Sequence, residues 1–185
     1  MNFSKKCICG YEIRTEDRST YFINGSLKAQ YDENGIEKRN YFMPFSDLFV
    51  NKAEATETCS RCNLKKDMTE ISNFDIPEFN KFLIIRINNY RYDQCTRSQV
   101  KLNAKLDEYN ENYLIIPNRN NYTYRILSAI MYYGDGNAGH YVVWKRSGSG
   151  WLRISDDKAV FHQNLIQNLK NVYLLFLEKN KTEIR

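Results

Sequence analysis

The apolar residues of this chain gather in short runs bounded by Gly, Pro, Asn, Asp and Ser, the pattern of strands joined by tight loops. The clearest block predicts a strand over Tyr124–Tyr133, a Gly-rich turn over Gly134–Gly139 and a second strand over His140–Lys145. A loop over Arg146–Gly150 follows, then a short strand from Trp151 that ends on Ser155, Asp156 and Asp157. The continuous run Phe82–Ile87, FLIIRI, predicts a strand covered on both faces. Gln99–Asp107 alternates polar and apolar and predicts one half-buried strand. Thr20–Gly25 and Met68–Ile76 also read as strand, and Val172–Leu177 as the strand that closes the sheet. Helical spacing is confined to two places. Phe45–Val50 predicts a short helix entered after Pro44 and capped by Ser46, and Ala159–Lys170 an amphipathic helix with Val160, Phe161, Leu165, Ile166 and Leu169 on its core stripe.

Composition narrows the class. At 185 residues and 42% hydrophobic content, one domain (1–185) with a substantial core is expected. No stretch approaches the roughly 18 apolar residues of a membrane span, and the N-terminal MNFSKKCICG has no apolar signal core. An intracellular protein, cytoplasmic or nuclear, is the expectation. Five cysteines in that setting predict thiols or metal ligands, not a disulfide frame. The net charge of +5 comes from scattered Lys and Arg among Asp and Glu, without the basic stripe of a nucleic-acid binder.

Two groups of residues carry candidate chemistry. His140 opens a strand, and Ser155 and Asp156 arrive a hairpin later, close enough in sequence to take the ring N–H and leave the other nitrogen as a base. Cys59-Ser-Arg-Cys62 is a metal knuckle by spacing, and Cys7-x-Cys9, one residue short of the usual knuckle, could complete a four-thiolate zinc site with it.

The block GHYVVW followed by WLRISD resembles the His box of ubiquitin-specific proteases, cysteine-type deubiquitinases. Tyr124 opens that block, Tyr133 stands where the family often has a first His, and Gly139-His140-Tyr141 and Trp151 match directly. Ser155 takes the place of the usual Asn or Asp, and Asp156 matches the acidic residue after it. CICGYEIRTED and CSRCNLKKDMTEISNFDIP are similar to the two halves of the family's zinc-bearing fingers, with Cys9, Cys59 and Cys62 on ligand positions and Cys7 shifted by one. Asn89-Tyr90 stands where the central strand usually ends in Lys/Arg-Phe, and VYLLFL resembles the final Tyr-x-Leu-Phe strand. The resemblance runs from about Cys7 to Lys179. It implies an α+β, predominantly antiparallel β fold of the papain-like class. The fingers would lie at about 5–75 and the palm at about 76–180, with the thumb largely absent. It further implies a structural zinc on Cys7, Cys9, Cys59 and Cys62, a catalytic group of His140, Ser155 and Asp156, and contacts from Gly139 and Tyr141 to a ubiquitin tail.

The family's nucleophile sits in an N-terminal Cys box at a helix start, where the helix and a nearby imidazole activate the thiol. No such box occurs in this chain, and Cys95, in YDQCTRS, has no helix behind it. Three readings follow. The chain is a deubiquitinase portion that supplies the His/Ser/Asp side of the site, inactive until an N-terminal thumb segment or a partner brings the nucleophile. Or it is a non-catalytic ubiquitin-binding pseudoenzyme. Or it is a zinc-ribbon nucleic-acid binder, which leaves the GHY block unexplained.

Overall fold

The computed structural model describes residues 2–7, 9–15, 22–38, 40–53, 59–63, 68–73, 80–116, 122–134, 138–165 and 169–180. Among the described residues the strands run in chain order: β1 (Asn2–Lys6), β2 (Glu12–Thr15), β3 (Ile23–Ser26), β4 (Tyr41–Pro44), β5 (Val50–Ala53), β6 (Met68–Asn73), β7 (Phe82–Asn88), β8 (Tyr90–Asp93), β9 (Ser98–Lys101), β10 (Ala104–Asp107), β11 (Leu114–Ile115), β12 (Thr123–Gly134), β13 (Gly139–Ser147), β14 (Gly150–Ser155), β15 (Lys158–His162) and β16 (Val172–Lys179). A 3-10 helix, Phe45–Phe49, joins β4 to β5. No described helix is long and apolar enough to cross a membrane, which says nothing of strands.

The main sheet runs β15-β14-β13-β12-β16-β7-β3, with β11 added beside the start of β12. Its neighbours are antiparallel except β3 and β7. A separate antiparallel sheet, β2-β1-β6-β5, carries both cysteine pairs at its loops. The predominantly antiparallel β class expected from the sequence is the one formed.

Alternation places the core, and two irregularities decide which side chains reach it. In β12, Tyr124 and Ile126 are fully buried, then Ala129 and Met131. The change of parity comes from a register shift against β16 between Ile126 and Ser128, a bulge at Leu127. A second shift, between Ile130 and Met131, leaves Tyr173 of β16 as the extra residue. Trp144 and Trp151 fill the middle of the core, and Trp151 Nε1 donates to Glu111 Oε1 at 3.3 Å. Burying each such ring stabilises the fold by about 3 kcal/mol.

Several expectations need correction. Lys158–His162 is a strand, not the start of a helix, because the two-residue turn Asp156–Asp157 folds it back onto β14. Val160 and Phe161 are therefore 49% and 56% exposed, while Leu165 and Leu169 alone of the supposed stripe are buried; Ile166 lies outside the described residues. The strand β7 is not covered on both faces: Leu83, Ile85 and Ile87 point inward, and Phe82 and Arg86 are exposed. Gln99–Asp107 is split into β9 and β10, which pair with different partners, β8 and β4. The strand β16 does not close the sheet but lies inside it, between β12 and β7. The short helix begins at Phe45, so Ser46 stands inside its first turn.

Candidate functional site

One end of the main sheet gathers the His-box residues. Tyr133 pairs with His140, and Gly134 with Gly139, across the β12–β13 hairpin. Both glycines are dictated by packing, since a Cβ on Gly139 would lie 2.3 Å from the Tyr132 ring and one on Gly134 2.4 Å from the Ala138 carbonyl. Carrying the β13–β14 register one step past Val143–Ile154 sets Ser155 opposite Val142, on the face that His140 shares. There Ser155 Oγ lies 2.7 Å from His140 Nε2. Asp156 holds a left-handed backbone, φ 51°, in the β14–β15 turn, and its Oδ2 stands 3.7 Å from the same nitrogen. The turn thus brings hydroxyl and carboxylate to one edge of the ring. Among the described residues these two are the polar partners of the imidazole, both at Nε2. The imidazole is half-exposed and Asp156 largely so.

Tyr141 follows His140 in β13 and therefore projects from the other face. Its ring centroid is 4.8 Å from that of Tyr132 and 5.9 Å from that of Tyr173. These three rings, with Arg86 and Asn89, wall a cavity of about 290 Å³. Lys101 braces the arrangement by donating to the Gly134 carbonyl at 2.7 Å while its ammonium sits 5.5 Å from the Tyr132 centroid. Arg86, Lys101, Tyr132 and Tyr173 had no place in the sequence reading. Hairpin counting from Gly134–Gly139 would have paired Tyr132 with Tyr141; the bulge that aims Tyr173 left no mark.

The four cysteines Cys7, Cys9, Cys59 and Cys62 come together, with every Sγ within 4.8 Å of the others. Each pair is shaped by backbone bonds. Gly10 N–H donates to the Cys7 carbonyl at 2.9 Å, with Gly10 at φ 84°, and Asn63 N–H to the Cys59 carbonyl at 2.8 Å. The short Cys7-x-Cys9 spacing is thereby accommodated by a glycine in the left-handed region. Across the pairs, Cys7 Sγ is 3.8 Å from Cys62 Sγ and Cys9 Sγ 3.7 Å from Cys59 Sγ. A tetrahedral zinc with Zn–S bonds of about 2.3 Å sets its sulfurs about 3.8 Å apart, so the set fits that ion. The Cys62 amide, outweighing burial, holds the Cys59 thiol down at about 6. At Cys7 the Cys9 amide also favours the thiolate, but burial and the three neighbouring sulfurs prevail and push the thiol up to about 11. All five cysteines are free thiols. Cys95 is exposed in the β8–β9 turn, where its N–H donates to Asp93 Oδ1 at 2.9 Å.

The model of the ubiquitin carboxyl-terminal hydrolase family matches residues 21–177. The chain belongs to that family. The match spans β3 to β16 and contains the whole His140 end of the sheet, so the resemblance read from GHY and the WLRISD block holds. The family fold recurs in solved structures of deubiquitinase modules. The chain is similar to the SAGA DUB module Ubp8/Sgf11/Sus1/Sgf73 bound to monoubiquitin, at 19% identity and a TM-score of 0.64. It is similar also to that module bound to ubiquitin aldehyde, at 17% and 0.63, and to a yeast SAGA DUBm, at 17% and 0.61. In all three the likeness covers 97% of this chain and 40% of the other. The chain therefore spans about two fifths of the length of these relatives. Among curated proteins, none matches in sequence. Family membership makes this a deubiquitinase-type domain.

Proposed function

We propose that this chain is the portion of a cysteine deubiquitinase that docks ubiquitin and supplies the base side of the thiol-protease site. The observation that carries this is the 2.7 Å contact of His140 Nε2 with Ser155 Oγ inside the family-matched region. With Nε2–H donating to Ser155, the lone pair on Nδ1 is left to accept a proton from a thiol. Ser155 is a neutral acceptor and fixes the ring; the Asp156 carboxylate at 3.7 Å supplies the charge that steadies the imidazolium once it forms. Gly139 offers backbone at close range, and Tyr141 an aromatic wall, to the ubiquitin tail as it approaches the scissile bond.

In the same reading Cys7, Cys9, Cys59 and Cys62 hold a structural zinc that ties the fingers, the sheet β2-β1-β6-β5 within about 5–75, at its loops, while β3 and β4 join the strands of 76–180 in the palm. The ion's part is structural: it joins the β1–β2 loop to the β5–β6 loop and adds its binding energy to the folding of that sheet. Five free thiols suit a reducing compartment, cytoplasm or nucleus.

In this reading the nucleophile for His140 comes from outside the chain, since four thiols form one cluster and the fifth lies in the β8–β9 turn. We therefore expect no hydrolysis by this chain without a segment or partner carrying that thiol. The test is a ubiquitin probe with a C-terminal electrophile, together with an NMR titration with unmodified ubiquitin. The expected result is no covalent adduct, with saturable shifts around Gly139 and Tyr141 that weaken in Tyr141→Ala. An adduct on Cys95 would overturn the inactive half, and the absence of shifts at the sheet end would overturn the docking half.

A further inference from the structure

The cavity on the Tyr141 face has a chemical bias that its neighbours do not cancel. Its walls are the rings of Tyr132, Tyr141 and Tyr173, the amides of Asn88 and Gln99, and the guanidinium of Arg86, with no carboxylate among the lining residues. Arg86 is exposed, stands 5.9 Å from the Tyr173 centroid, and forms no ion pair among the described residues. At about 290 Å³ the cavity is at the lower end of small-ligand sites, with room for one side chain and its flanking backbone. A guanidinium with no ion pair among the described residues, set beside aromatic faces and amide donors, is suited to receive a planar carboxylate, and it repels a cation.

We infer that this cavity is a carboxylate-selecting peptide subsite, in which an acidic side chain of an extended substrate segment lies against Arg86 between the tyrosine rings. It lies at the His140 end of the sheet on the face opposite the imidazole, which makes it a specificity element for substrate that passes the sheet edge away from the scissile position. That placement rests on the function proposed above; the chemical selectivity does not. Lysine and arginine at this position are rejected by Arg86.

The test uses the chain as it is and fluorescein-labelled hexapeptides with amidated C termini that differ at one central residue: Glu, Gln or Lys. Anisotropy titrations should show the Glu peptide binding about tenfold more tightly than the Gln peptide, the Lys peptide weakest, and the preference fading with added salt. Arg86→Gln should erase the difference, and Arg86→Glu should reverse it in favour of Lys; circular dichroism confirms that both variants fold. A fourth peptide, Gln at the centre with a free C-terminal carboxylate, separates the two sources of the group: tight binding there assigns the site to a chain terminus. Equal affinity for all peptides, no binding at all, or a Glu preference that survives Arg86→Gln would overturn the inference. Because no ubiquitin is present, peptide selectivity stands or falls separately from ubiquitin docking.

Discussion

At the scale of single residues, Asp156 carries two burdens that other sites divide. Its carboxylate faces His140, and its backbone supplies the left-handed corner that lets β14 reverse into β15. The left-handed region costs an ordinary residue about 1–2 kcal/mol, less for Asp and Asn, whose short polar side chains bond locally. Substitutions should therefore separate the two duties. Asp156→Gly is expected to hold or raise the thermal midpoint while removing the negative charge. Asp156→Val is expected to lower stability by about 1–2 kcal/mol in urea titrations, with the 2.7 Å Ser155 contact loosened as the turn shifts. Equal stability for Gly and Val would mean that the backbone angle imposes no cost.

Elements show where sequence was a good guide and where it was not. His140, Ser155 and Asp156 were legible because two consecutive hairpins bring them together, and hairpin geometry is local. The cysteine cluster was legible through the knuckle spacing of Cys59 and Cys62. The Tyr132–Tyr141–Tyr173 wall was not, since β16 meets β12 only after two register shifts that no local pattern announces. Val160 and Phe161 misled because a 3.6-residue rhythm over a dozen residues ignores a turn two residues earlier that had already committed the segment to pairing. The four-stranded sheet β2-β1-β6-β5 gives its own prediction. With zinc bridging its two loops, Cys59→Ala or a strong chelator should raise amide exchange across β1, β2, β5 and β6 far more than across β12–β16, read by hydrogen exchange. Uniform change, or none, would remove the structural role of the metal.

For the molecule as a whole, the buried tyrosines set an alkaline limit. Burial, foremost, pushes the phenols of Tyr41, Tyr109 and Tyr124 up to about 12 from an ordinary value of 10.0. Below pH 10 both folded and unfolded chains hold these protons, so stability is unaffected by them. Between pH 10 and about 12 only the unfolded chain releases them, and stability falls by about 1.4 kcal/mol per pH unit for each tyrosine. Urea midpoints should accordingly drop steeply above pH 10, with phenolate absorbance appearing together with unfolding; absorbance that rises while the chain stays folded would contradict the burial. The position of β16 bears on the order in which such a chain can be assembled. It follows every strand it touches in sequence, yet among the described strands it is the one that joins β12 and its hairpins to β7 and β3 within the sheet. Until it emerges from the ribosome, the sheet exists as two pieces, each with an open edge ready to pair with a neighbour's. Folding is thus a late, long-range closure that waits on Val172–Lys179.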